Sequence, residues 1–139
     1  VLLYCTGGGV TPEEESMFLD MMKGAGVVMK LEESRIDAAS TITGCGPAFV
    51  CLFLEAVIDG AVRCGLPRKM AERFALQTLL GTAKLSQETG QDPALLRAAV
   101  CSPGGSTIAG IAAMEEHAVR FAVMEAVRAA YERTRELGK

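Results

Sequence analysis

The spacing of apolar and polar positions changes character once along this chain, near residue 32. Before that point the pattern is mixed. Val1 to Cys5 is an unbroken apolar run closed by Thr6-Gly7-Gly8-Gly9, which predicts a short buried strand ending in a turn. Thr11-Pro12-Glu13-Glu14 supplies a helix N-cap, a proline in the first turn and a glutamate three residues after the cap. Met17, Phe18, Met21 and Met22 then recur at helical spacing, so a helix is predicted from Pro12 to about Lys23. Gly24 and Gly26 stop it, and Val27 to Leu31 reads as a second strand. A strand, helix, strand unit of this size buries neither strand face by itself and calls for further strands or another copy beside it, failing which it is poorly ordered.

From Ser34 onward every segment follows helical periodicity punctuated by glycine or proline. A short helix is predicted from Ile36 to about Thr41, broken by Gly44-Cys45-Gly46-Pro47. The next, Pro47 to Cys64, carries Glu55, Asp59 and Arg63 four residues apart on an otherwise apolar surface. A helix with one narrow polar stripe is central, or a partner covers it. Gly65-Leu66-Pro67 turns the chain into a helix reaching Thr89, which Gly90 ends. Asp92-Pro93 starts a short helix to about Cys101, and Ser102-Pro103-Gly104-Gly105 interrupts before a helix from Ser106 or Thr107 to Glu116. A last helix has an apolar seam from Val119 to Tyr131 and pairs Arg128 with Glu132 on its outer face.

Composition narrows the partners. The 139 residues are 50% hydrophobic, 22% charged and 5% aromatic, with a formal net charge of −3 and no tryptophan. This leaves neither the basic surface nor the stacking platforms that nucleic-acid binding uses, so no nucleic acid is expected. Apolar stretches such as Ala48 to Ile58, interrupted by Glu55 and then Asp59, fall short of the ~20 residues that span a bilayer, so no membrane is expected either. The five cysteines form no C-x-x-C pair and sit mostly in apolar helical patterns, which reads as reduced thiols in a cytoplasmic protein. The chain opens inside an apolar run without an initiator methionine, as a piece of a longer polypeptide would.

Three glycine-rich segments invite chemistry. Gly7-Gly8-Gly9 lacks the G-x-G-x-x-G spacing of a dinucleotide loop, and Glu13 to Glu15 in the following first turn would repel a pyrophosphate, so it reads as a surface turn. Thr43 to Pro47 reads as close packing at a helix start. Ser102 to Thr107 is different. Two glycines allow close backbone approach, amides at a helix N-terminus form a nest suited to a carboxylate, and Thr107 adds a hydroxyl. An ordinary capped helix–helix corner fits the same spacing. Glu55 reads as an edge residue and His117, the single histidine, as a helix-end surface residue; neither has metal-ligand company, and no metal is expected.

Taken together, Thr43-Gly44-Cys45-Gly46-Pro47-Ala48-Phe49, Glu55-Ala56, Asp59-Gly60, Gly65-Leu66-Pro67, Gln77 to Gly81 and above all Ser102 to Gly110 closely resemble pyrroline-5-carboxylate reductase. The resemblance implies a mainly α fold: a helical-bundle dimerisation and substrate-binding domain over residues 32–139, preceded over 1–31 by a short β-α-β remnant of a Rossmann dinucleotide-binding domain. It implies NAD(P)H-dependent reduction of 1-pyrroline-5-carboxylate to L-proline by the parent protein, with NADPH or NADH bound mostly by residues outside this chain, and a homodimer able to assemble further. By the same resemblance Ser102, Gly104, Gly105, Ser106 and Thr107 hold the substrate, with the Thr107 hydroxyl at the ring nitrogen as the catalytic contact. Cys45 stands where the family usually has serine. A stand-alone helical dimerisation module without chemistry is the alternative. A β-hydroxyacid dehydrogenase relative fits less well, since its central helix typically carries a catalytic lysine and Pro47 to Cys64 has none.

Overall fold

The computed structural model describes residues Val1 to Gly138 and is mainly α-helical, with one short parallel strand pair near the N-terminus. The chain packs as two compact units, Val1–Pro47 with the chain from Met124 onward, and Ala48–Val123.

In the first unit, β1 (Leu2–Tyr4) and β2 (Val28–Lys30) pair in parallel with Leu2 opposite Val28 and Tyr4 opposite Lys30. Helix α1 (Pro12–Met22) makes the crossover. Its start is the expected capping box: Thr11 Oγ1 accepts from the Glu14 amide at 3.2 Å while the Glu14 carboxylate accepts from the Thr11 amide at 2.8 Å. Both strand ends are tied to α1 through one carboxylate, because Tyr4 Oη donates to Glu15 at 2.7 Å and Lys30 Nζ reaches the same side chain at 2.9 Å. Phe18 packs its ring 5.1 Å from that of Tyr4. The Lys30 hydrogen bond, then that of Tyr4, holds the Glu15 carboxyl below the ordinary range, and the same bond pushes the Tyr4 hydroxyl up.

Helix α2 (Glu33–Ser40) packs on β1, and here the structure corrects an expectation. Gly44-Cys45-Gly46-Pro47 does not break the chain direction. Residues Thr41–Cys45 form a π-helical segment that runs straight into α3 (Gly46–Arg63), giving one continuous helix from Glu33 to Arg63. The wide turn accommodates Pro47, whose ring and missing N–H would stop a regular α-helix at a mid-helix position. Hydroxyls take up the displaced hydrogen bonding: Ser40 and Thr41 donate to the Asp37 carbonyl and Thr43 to that of Ala39, at 2.9 to 3.2 Å. Joined in this way, the helix becomes long and apolar enough to cross a bilayer by length and composition, against the expectation that Glu55 and Asp59 leave its apolar stretch too short. A helix covered by other protein has the same pattern.

The second unit is helical throughout. Gly65 at φ +97° turns α3 into α4 (Arg68–Thr89), and Arg68 closes the corner on Asp59 at 2.6 Å. Gly90 ends α4 in the left-handed conformation at φ +64°. Asp92 caps α5 (Pro93–Ala99) by accepting from the Ala94 amide at 2.7 Å. Helix α6 (Ser106–Glu116) follows, then α7 (Val119–Leu137), which begins in this unit and continues into the first, where it carries Arg128 between Glu125 and Glu132 at 2.8 and 2.6 Å. Between α6 and α7, Ala118 sits at φ +53°, a left-handed conformation that glycine adopts without strain and alanine does not.

Burial is the unusual feature of this fold. Among the described residues of the second unit only Ala71 and Ala75 are buried, while Phe53 is 46%, Phe74 53% and Leu80 62% exposed. Phe53, Leu54, Val57 and Ala61 of α3 face Ala71, Phe74 and Ala75 of α4 across an open apolar groove of about 470 Å³. Full burial of one such Leu or Phe side chain stabilises a fold by about 1.5 to 3 kcal/mol. A handful of them left in water forfeits roughly as much as the whole stability of a typical domain, about 5 to 15 kcal/mol.

Two outcomes follow from these local devices. Replacing Ala118 with glycine relieves the left-handed strain at the end of α6 and should stabilise the protein by about 1 kcal/mol, raising the melting temperature by a few degrees; no gain by calorimetry would show that this corner is unstrained. Because the folded Glu15 carboxyl titrates below its ordinary value, its contribution is complete above that value and is lost as pH falls through the depressed one. Acid unfolding of Glu15→Gln should therefore lack the part of the stability loss that wild type shows over that window, and superimposable profiles would remove Glu15 from the account.

Candidate functional site

The segment Ser102 to Thr107 joins α5 to α6 and lies open to solvent, with only Gly105 half-buried among its residues. Pro103 and Gly104 occupy the two central positions of a tight turn closed by the Gly105 amide, which donates to the Ser102 carbonyl at 3.0 Å. Proline presets the backbone at the first of these positions. At the second, Gly104 takes φ +68°, where a side chain would be strained. Gly105 suits its position for another reason. A Cβ there would meet Ser102 Oγ, which would have to rotate away, and stand 3.1 Å from the Ser102 carbonyl oxygen, a tight contact. The missing side chain lets the turn close without that displacement.

Helix α6 begins at Ser106 immediately after the turn, with Gly105 as its extended N-cap residue and no side-chain hydrogen bond closing the cap. Its first helical hydrogen bond from the loop side is Ala109 N–H to the Gly105 carbonyl at 3.3 Å. The amides of Ser106, Thr107 and Ile108 precede it and have no helical acceptor. They point out of the helix end, at the positive pole of the α6 dipole, and Thr107 is the second residue of that first turn. This arrangement can accept a small carboxylate and present one neutral donor and acceptor to a second polar atom. The family resemblance implies donors around Gly104, Gly105 and Ser106. The structure shows the Gly105 amide already engaged in the turn and adds Ile108, whose apolar side chain gives no hint of a role played by its backbone.

The other segments singled out in the sequence lie elsewhere. Gly7-Gly8-Gly9 forms an exposed turn closed by Val10 N–H to the Gly7 carbonyl at 3.3 Å, and the helix start behind it is filled by the Thr11 and Glu14 capping box. Cys45 is half-buried in the π-helical segment. Glu55 is exposed on α3, and His117 ends α6 with its Nδ1 3.0 Å from the Ala113 carbonyl. Among the described residues no three His, Cys, Asp or Glu side chains gather at metal-binding distance.

Comparison with known proteins places this geometry in context. Residues 33–137 match the family described as pyrroline-5-carboxylate reductase dimerisation. The chain is 47% identical over 130 residues to pyrroline-5-carboxylate reductase of Synechocystis, an alignment covering 94% of this chain and 49% of the relative. It is 41% identical over 138 residues to pyrroline-5-carboxylate reductase 3 of Macaca fascicularis, covering 99% of this chain and 50% of that one. The crystal structure of Plasmodium falciparum pyrroline carboxylate reductase with NADP bound superposes with a TM-score of 0.92 at 33% identity, over 99% of this chain and 55% of its own. The Coxiella burnetii pyrroline-5-carboxylate reductase structure gives 0.90 at 32% identity, over 99% and 51%. The chain thus spans about half the length of the curated relatives it matches. A family match over 33–137 that contains the entire Ser102 to Thr107 corner establishes that this chain belongs to the pyrroline-5-carboxylate reductase dimerisation family.

Proposed function

We propose that the protein reduces 1-pyrroline-5-carboxylate to L-proline, and that residues 32–139 are its helical dimerisation and substrate-binding part, with residues 1–31 belonging to a dinucleotide-binding domain. The observation that carries the reading is the α5 to α6 corner, where three unpaired helix amides open an exposed first turn that also contains Thr107. The substrate is a small ring with one carboxylate and one ring nitrogen. Its carboxylate takes the amides of Ser106, Thr107 and Ile108, with Ser102, Gly104 and Gly105 shaping the backbone beneath it, and the Thr107 hydroxyl faces the ring nitrogen. Reduction of a C=N bond places charge and a proton on that nitrogen, so a hydroxyl held there orients the reacting face.

A nicotinamide cofactor, NADPH or NADH, would supply the reducing equivalents. The described residues do not fit its pyrophosphate, because the one glycine-rich turn between a strand and a helix leads into Glu13, Glu14 and Glu15, and its helix N-terminus is taken by the capping box. No cofactor contact is assigned to this chain.

The exposed apolar groove between α3 and α4 and the dimerisation family match support a homodimer, with an oligomer of dimers as its extension. The five free cysteines fit a reducing compartment, and we place the enzyme in the cytoplasm, without nucleic acid or membrane as partner.

Removing one hydrogen bond to a charged group costs about 1.5 to 3 kcal/mol. Thr107→Ala in the full-length protein should therefore lower kcat/KM for 1-pyrroline-5-carboxylate roughly ten- to a hundredfold, read by steady-state NADPH oxidation, while Thr107→Ser retains most of it. Wild-type kinetics in Thr107→Ala would remove that residue from the site, and a protein without reductase activity would leave the dimerisation-module reading in its place.

A further inference from the structure

The Ser102 to Gly105 turn is closed by one backbone hydrogen bond and flanked by a helix of only seven residues, α5. Something must set the angle at which α5 and α6 leave it. Ala98 and Cys101 meet Ile108 and Ile111 in a small apolar hollow behind the turn, and at the rim of that hollow stand three charged side chains from three successive helices. Glu115, in the last turn of α6, accepts from Arg120 of α7 at 2.5 and 3.5 Å, and Arg97 of α5 lies 3.9 Å from the same carboxylate. Between Glu115 and Arg120 the chain passes through Ala118 in its left-handed conformation, where α6 ends and α7 begins.

We propose that Glu115 is a positioning residue for the substrate loop, its carboxylate shared between Arg97 and Arg120 so as to hold α5, α6 and α7 together around the Ser102 to Gly105 turn. This rests on the reading of that turn as the carboxylate-binding loop. Hydrogen bonding from Arg120 and the charges of both arginines keep the Glu115 carboxyl ionised below the ordinary carboxylate range, so the strut stays charged at neutral pH. All three side chains are 43 to 60% exposed, and exposed ion pairs contribute little to global stability. Their leverage is geometric. Arg97 lies one turn before the loop and Glu115 ten residues after it, so the pair spans the corner, and a corner no longer held in place grips the substrate carboxylate less tightly, a loss read in KM.

The test uses Glu115→Gln and Arg97→Ala in the full-length protein, with amide hydrogen exchange at Gly105 and Ala109, the hydrogen-bonded amides of the corner, measured beside steady-state kinetics. The strut predicts exchange at those amides accelerated about tenfold or more, KM for 1-pyrroline-5-carboxylate raised several-fold with kcat within about twofold, an unchanged melting temperature, and Arg97→Lys close to wild type. Unchanged exchange or unchanged KM in both variants overturns it, as does a KM change that merely tracks lost stability. Thr107→Ala separates the two levels. If that variant impairs turnover while Glu115→Gln and Arg97→Ala do not, only the strut falls; if Thr107→Ala is also without effect, the substrate-loop reading falls and the strut with it.

Discussion

The long helix from Glu33 to Arg63 and its neighbour α4 expose apolar side chains on a scale that a folded chain in water does not tolerate alone. Phe53 and Phe74 face an open groove, and Leu76 and Leu80 stand on another face of α4. Between them they forgo several kcal/mol of burial, a sum comparable to the net stability of a domain. Apolar surface of this extent needs cover, and a second copy of the same surface supplies it in equal measure. The match to a family described as dimerisation agrees with that constraint. Almost every other feature here is a local device that shapes a corner or fixes a helix end while the main burial is left to association.

Those corners are where chemistry becomes possible. A helix whose flanks are apolar can bind a charged ligand only at its ends, through backbone groups with no partner inside the helix. At α6 the cap is a glycine without a side-chain hydrogen bond, so its amides are left for a ligand. At α1 the equivalent groups are consumed by Thr11 and Glu14, and at α5 the cap is filled by Asp92. Helices α2 and α4 also begin without a side-chain cap; what sets the Ser102 to Thr107 corner apart is the tight Pro103-Gly104 turn directly in front of its open helix start.

Much of this was legible in the residues because it depends on local chemistry. Thr11 and Glu14, Asp92 before Pro93, and Gly90 after α4 each announce a boundary through a hydrogen bond or a backbone conformation that few residues provide, and each stands where its residue type places it. Pro47 was misleading for the same reason. Proline forbids a regular helix, and only three-dimensional context reveals the wide turn at Thr41–Cys45 that lets the helix pass. Ala118 carries no turn signal and yet separates α6 from α7 in a conformation typical of glycine. At the site, glycines and threonine were readable, whereas the engagement of the Gly105 amide in the turn and the availability of the Ile108 amide follow from hydrogen-bond geometry that no side chain encodes. The contact of Arg97 and Arg120 with a single carboxylate is equally silent in sequence, because the three residues are brought together by two successive corners.

The central claim is that this fold is complete only in company, and sedimentation velocity of the protein across a wide concentration range addresses it most directly. The account predicts a folded dimer or larger closed assembly with no stable monomer at micromolar concentration, and an unfolding midpoint that rises with protein concentration. A folded monomer with a concentration-independent midpoint would contradict it.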